Sequence, residues 1–175
     1  MAIKKQVDGR SYPHMYDVTM AVGSRKSLTE TTGIDHHTGE TVTTSVTFTS
    51  SHEPNRRDDV MLVQYLLKRI YQQGHNAIPP LDSKGGATEL KIDGFHGPKT
   101  QKAIESFQLE LRRNGRNIAT DGCVDPDGNT FVSSITKTGY TIAWLNKYFW
   151  LLNPSTANNI AGDPECPSEL KLFVS

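Results

Sequence analysis

Histidine, cysteine and paired carboxylates are the side chains with which a chain of this size could do chemistry, and their spacing here argues against most of it. Six histidines occur. A catalytic zinc takes three protein ligands, usually with an acidic general base at fixed geometry. His36 and His37 are adjacent, so on a strand they point to opposite faces. His14, His52, His75 and His96 are isolated, with no His-x-x-Glu-His or His-x-His among them. They read as turn residues, and no metal or other cofactor is expected. Asp125-Pro-Asp-Gly-Asn129 looks like half of a calcium loop, but the bidentate Glu and the spaced ligands are missing, so it too reads as a turn. Nucleophilic catalysis fares no better. No Gly-x-Ser-x-Gly occurs, and neither Cys123 nor Cys166 sits in an activating context. The two cysteines make no metal-ligand spacing and no disulfide framework, and their long separation leaves their pairing open. Carboxylate pairs for glycoside cleavage are a spatial matter that spacing leaves open. The expectation is a protein that is not an enzyme.

What remains is a repeated turn grammar. Asp93-Gly94-Phe95-His96-Gly97-Pro98-Lys99-Thr100 and Asp121-Gly122-Cys123-Val124-Asp125-Pro126-Asp127-Gly128-Asn129-Thr130 each open with Asp-Gly. In such a turn Gly supplies positive φ and Asp bonds nearby backbone N–H groups. Each stretch has a further Gly and then a Thr. After the first a helix begins at once, with Thr100 in its opening turn; the second is separated from its helix by about ten residues.

Helices must therefore position these turns. Asn55-Arg-Arg-Asp-Asp59 sets capping and acidic residues ahead of Val60, Val63, Leu67, Ile70 and Tyr71, which share a face that Leu66 widens. Gln72-Gln-Gly74 ends this helix. A second starts near Pro98, a residue suited to a first turn, and buries Ala103, Ile104, Phe107 and Leu111 before Asn114-Gly115 closes it. Ile142, Leu145 and Phe149 mark a third, shorter helix. Ahead of the helices lies a Thr-rich, alternating zone. Tyr16, Val18, Met20 and Val22 fall on one face of an extended segment, and Val42, Thr44, Val46 and Phe48 repeat the period of two. Turn residues from Gly33 to Gly39 predict a hairpin from about Leu28 to Phe48. The organisation expected is a β-rich N-terminal arm over 1–54, a helical domain over 55–152 and an extended C-terminal tail over 153–175, whose Leu170–Val174 could dock as a short strand. The fold class is mainly α.

The totals narrow the partners. Nineteen basic and 19 acidic residues leave a formal net charge of zero in 175 residues, so the footprint of a nucleic-acid binder is absent. No stretch approaches the ~20 apolar residues of a membrane span. The first ten residues carry two lysines but no apolar core or cleavage site, which predicts synthesis in the cytoplasm without a secretory signal.

Together, the helix and turns resemble the peptidoglycan-binding-like domain family. The residues that carry this are Asp59-Val60, Val63-Gln64 and Leu67, then Asp93-Gly94 with Gly97 and Thr100, Ala103-Ile104 with Phe107-Gln108, and Asp121-Gly122 with Val124. The stretch runs from about Asn55 to Phe149. Departures are His96, which sets Gly97 one place late, and longer loops over 74–90 and 125–139. The resemblance implies a three-helix module without catalysis, whose Asp-Gly loops line a groove for peptidoglycan or its stem peptide. It points to Phe95, His96, Lys99 and Gln101 near the first loop, with Arg56, Arg57 and Tyr65 as more distant candidates. Asp93, Gly94, Gly97, Thr100, Asp121 and Gly122 are the structural turn residues. The run Asn55-Arg56-Arg57-Asp58-Asp59-Val60 is similar to leaderless members found with phage-tail-like particles and type VI secretion machinery. That implies a wall-binding accessory delivered to the periplasm or cell wall, or else a structural subunit of a particle that docks to partner subunits or self-associates.

Overall fold

The arrangement is built on one enclosed helix, α1 (Arg57–Gln73). A computed structural model describes residues 3–6, 14–34, 38, 40–73, 90–127 and 132–174. Val60, Val63, Leu66, Leu67, Ile70 and Tyr71 are all buried, as their spacing predicts, but so are Met61, Leu62, Gln64 and Tyr65. A helix buried all round lies inside a core rather than on one. The neighbours that enclose α1 are α2 (Pro98–Arg113), α3 (Thr141–Leu152) and α4 (Ser168–Val174). Helix α2 begins with its proline, buries Ala103, Ile104, Phe107 and Leu111, and ends where Gly115 adopts φ +74 and the Arg116 N–H returns to the Leu111 carbonyl. Aromatic rings stitch the helices together. Tyr65 of α1 meets Phe149 of α3 at 5.6 Å, and Phe107 of α2 meets Tyr148 edge-on at 6.3 Å. The chain is mainly helical.

The C-terminal segment differs from the extended tail expected. A 3-10 turn at Ile160–Gly162 leads to α4, and Leu170 and Val174 are buried one helical turn apart. Ala157, Ile160 and Cys166 join the same core. A strand would place Leu172 on the same face as these two, but Leu172 is 78% exposed, so the burial is helical. One turn is too short a pattern to announce itself among three prolines.

The strands comprise β1 (Ile3–Gln6), antiparallel to β2 (His14–Asp17), and a long hairpin of β3 (Val22–Ile34) and β4 (Thr41–His52). A two-residue β5 (Cys123–Val124) pairs with Val22 and Gly23, giving the order β4-β3-β5. The hairpin expected from about Leu28 to Phe48 is present but longer; Leu28 pairs with Phe48, and the register shifts between Thr31 and Thr32. The extended face expected from Tyr16 to Val22 is interrupted. Tyr16, Val18 and Val22 are buried, but the chain bends at Thr19–Met20 and leaves Met20 40% exposed. Asp59 makes the bend, accepting from the Thr19 N–H and hydroxyl and from the Met20 N–H at 3.0–3.1 Å. Asn55, read as a capping residue, holds the strands instead, because α1 begins only at Arg57. Its φ is +48, and its amide holds both the N–H and the carbonyl of Gly23.

Candidate functional site

Each Asp-Gly turn is gripped by a glutamine from the helix before it. Gln64 Oε1 accepts from the Asp93 and Gly94 N–H groups at 3.1 and 2.9 Å. Its Nε2 donates to Asp93 Oδ1, the Phe95 carbonyl and Thr100 Oγ1 at 3.0–3.1 Å. Gln108 of α2 repeats the pattern. Its Oε1 accepts from the Gly122 N–H at 2.8 Å, and its Nε2 donates to Asp121 Oδ1, the Cys123 carbonyl and Thr141 Oγ1. In both turns the aspartate accepts the N–H two residues on. The glycines have matching φ values of +75 and +79. The unit is therefore helix, glutamine, Asp-Gly turn, and a threonine opening the next helix, occurring twice. The second threonine is Thr141, not Thr130, which lies outside the described residues.

A groove of about 330 Å3 opens beside the first turn. Gln64 and Thr100 line it together with Leu90 and Pro98, and Lys91, Phe95 and Lys99 stand around its mouth. Phe95 is 70% exposed, and the Arg57 guanidinium sits 5.9 Å from its ring centroid. Arg57 also pairs with Glu169 of α4 at 2.7 Å. Beyond it a second depression of about 260 Å3 is lined by Met61, Leu172 and Phe173.

The residues proposed from sequence separate here. Phe95 and Lys99 line the groove. His96 and Gln101 turn to each other, Nε2 to Oε1 at 2.8 Å, and the Gln101 amide also holds Ser24, Glu105 and Gly122. They join the turn to the hairpin rather than line the groove. Arg56 is exposed beside Asp58 and is not among the groove residues. Tyr65 is wholly buried; its hydroxyl donates to Asp163 at 2.6 Å, and burial, helped by Asp163, raises its pKa well above the usual value. It is a core residue, because α1 is enclosed on the side where a one-faced helix would show it to solvent. Arg57, a more distant candidate, does stand beside Phe95, whereas Lys91 and Leu90 were missed.

At the second turn a guanidinium is ringed by carboxylates. Arg25 pairs with Glu53 at 3.1 Å, Asp121 at 2.6 Å and Asp125 at 2.5 Å, beside a cavity of about 340 Å3. Burial opposes the charge of Arg25, but Asp125 and Glu53 outweigh it and its pKa is raised. Burial also raises Asp125, with Arg25 pulling the other way. The Cys123 thiol is pushed up to about 12 by burial; Arg25 lowers it, but Asp121, Glu53 and Asp125 oppose that. At neutral pH it is a protonated thiol and no nucleophile. Cys123 and Cys166 are both free.

Among the described residues no group of three or more His, Cys, Asp or Glu is arranged to hold a metal ion, and no helix is long and apolar enough to cross a membrane. In comparisons with known proteins, no family model, curated protein or solved structure matches the chain.

Proposed function

We infer that this chain is a non-catalytic binder of peptidoglycan, holding it in the groove beside Asp93–Lys99. Phe95 carries the reading. A large apolar residue left 70% exposed, braced by Arg57 at the lip of a groove, has a surface to offer rather than a core to fill. Its face suits the C–H face of a sugar, and the ammonium groups of Lys91 and Lys99 suit stem-peptide carboxylates. The protonated Cys123 beside the other cavity supports a binding role over a catalytic one. The resemblance of the helices and Asp-Gly turns to the peptidoglycan-binding-like family supports the same ligand. The similarity of Asn55–Val60 to members found with phage-tail-like and secretion machines makes the protein an accessory of such a machine.

Retention on purified sacculi tests the reading. The double variant Phe95→Ala with Lys99→Ala should lose at least about tenfold in retention, as central anchors do, while circular dichroism and melting stay unchanged. Undiminished retention in a folded variant would sink the proposal.

The long hairpin favours a second reading, a structural subunit that docks to other proteins. Its described polar contacts with the helical part come from the base, where Ser24 meets Gln101 of α2 and Arg25 meets Asp121 and Asp125, while its strands run on the order of 40 Å at ~3.4 Å per residue. Absence of sacculus retention, with a stable higher-order assembly by light scattering, would favour this reading.

A further inference from the structure

The outer edge of β3 has an order of its own. At the base of the hairpin, backbone groups on both sides have partners. Gly23 turns its N–H and carbonyl towards β4, where Asn55 Oδ1 and the Glu53 N–H meet them. Ser24 turns its pair the other way, and the Gln101 amide closes on both, at 2.8 and 3.3 Å, much as a neighbouring strand would. Strand alternation then directs the N–H and carbonyl of Lys26, Leu28 and Glu30 to the same outer side as those of Ser24. β5 pairs with β3 at Val22 and Gly23, and among the described residues no strand meets that edge further along. The regular run ends at the register shift after Thr31. Among the described residues the edge without a neighbouring strand is thus Arg25–Thr31, with Leu28 at its midpoint.

That stretch is self-complementary. Lys26 stands two places before Leu28, and Glu30 two places after it. We propose that β3 pairs antiparallel with β3 of a second copy of this chain, centred on Leu28, joining two hairpins into a sheet of order β4-β3-β3-β4. In this register Lys26 falls opposite Glu30 on both sides of the two-fold axis. Lys26, Leu28 and Glu30 each exchange both backbone hydrogen bonds with the residue opposite. Centring the axis on Lys26 or on Glu30 instead sets like charges against each other, which destabilises a strand pair. A strand from an unrelated protein would need no such symmetry about Leu28, whereas an isologous contact does. The shift after Thr31 bends the ribbon where its tip would otherwise meet Gln101 and β5 of the second copy. A two-stranded ribbon is marginal by itself, and four strands relieve this. The pairing does not rest on wall binding.

Sedimentation equilibrium on the full chain, without sacculi, tests it. The wild type should show a reversible monomer–dimer equilibrium. Lys26→Glu alone and Glu30→Lys alone each create two like-charge pairs and should raise the dissociation constant about tenfold. The double variant K26E/E30K should return it to within about threefold of wild type. Leu28→Pro removes an outward N–H that the β3–β4 ladder does not use and should abolish the dimer with circular dichroism unchanged. A wild type that stays monomeric across a roughly hundredfold concentration range overturns the proposal and leaves the edge to another protein's strand. A dimer in which the single and double charge variants behave alike overturns it as well.

Discussion

At the scale of single residues, the recurring device is a side-chain amide that stands in for a strand. Gln64 and Gln108 close the two Asp-Gly turns, Gln101 closes on Ser24, and Asn146 of α3 holds both the N–H and the carbonyl of Tyr16 at 2.7 Å. An amide offers an acceptor and two donors on one planar group, which matches the N–H and carbonyl of an extended residue. The consequences of removing one depend on burial. Gln108 is wholly buried, so Gln108→Leu strands the Gly122 N–H and the Cys123 carbonyl away from water and should cost about 3 kcal/mol. Gln101 is half-buried and its partners can regain water, so Gln101→Ala should cost about 1 kcal/mol. Urea midpoints at unchanged slope measure both. A Gln108→Leu protein as stable as Gln101→Ala would show that the grip on the second turn contributes little.

At the scale of elements, the hairpin is seated on the second Asp-Gly turn. Gly122 has φ +79, and a Cβ there would lie 2.5 Å from Gln101 Nε2 and 3.0 Å from the Ser24 carbonyl oxygen. The substitution Gly122→Ala therefore combines backbone strain with a push on the hairpin base and should destabilise by about 2–3 kcal/mol. Gly97, at the other turn, is a control. Its φ of −125 is open to any residue, and a Cβ would meet nothing within 4 Å. Gly97→Ala should fall within about 0.5 kcal/mol of wild type. Thermal unfolding compares the two, and an equal effect would remove the distinction between the glycines. Gly97 was expected as a turn residue on the same footing as Gly94 and Gly122. The difference is that it ends the turn at the N-cap of α2, in extended backbone, instead of forming it.

At the scale of the whole molecule, burial of thiols and phenols sets an alkaline limit on stability. Cys123 is pushed up to about 12 and Cys166 up to about 11, chiefly by burial, and Tyr16, Tyr65 and Tyr71 are raised by the same cause. Above the ordinary thiol value of 9.0 the unfolded chain ionises while the folded chain holds its protons. The stabilising contribution is therefore complete below that pH and is lost as pH rises towards the folded values, by up to ~1.4 kcal/mol per pH unit per group. Melting temperature should fall steeply from about pH 9 upward, and Cys123→Ala should soften the fall. A melting temperature level to pH 11 would contradict it.

The same scale separates what the sequence determined from what it did not. Local periodicity and turn chemistry act over a few residues. They determined the three helices with their apolar positions, a hairpin in the Thr-rich zone and the two Asp-Gly turns. Tertiary structure decided that α1 is buried all round, so that Tyr65 faces Asp163 rather than a ligand. It decided that Thr141, at the start of α3, takes the place open to Thr130, and that the last residues coil as α4. It also brought Arg25 to Asp121 and Asp125, and set Arg57 against Phe95. Such partners lie tens of residues apart, up to 144 for Tyr16 and Ile160. Packing of the helices fixes such pairs, whereas the preferences of neighbouring residues reach only one or two turns along the chain.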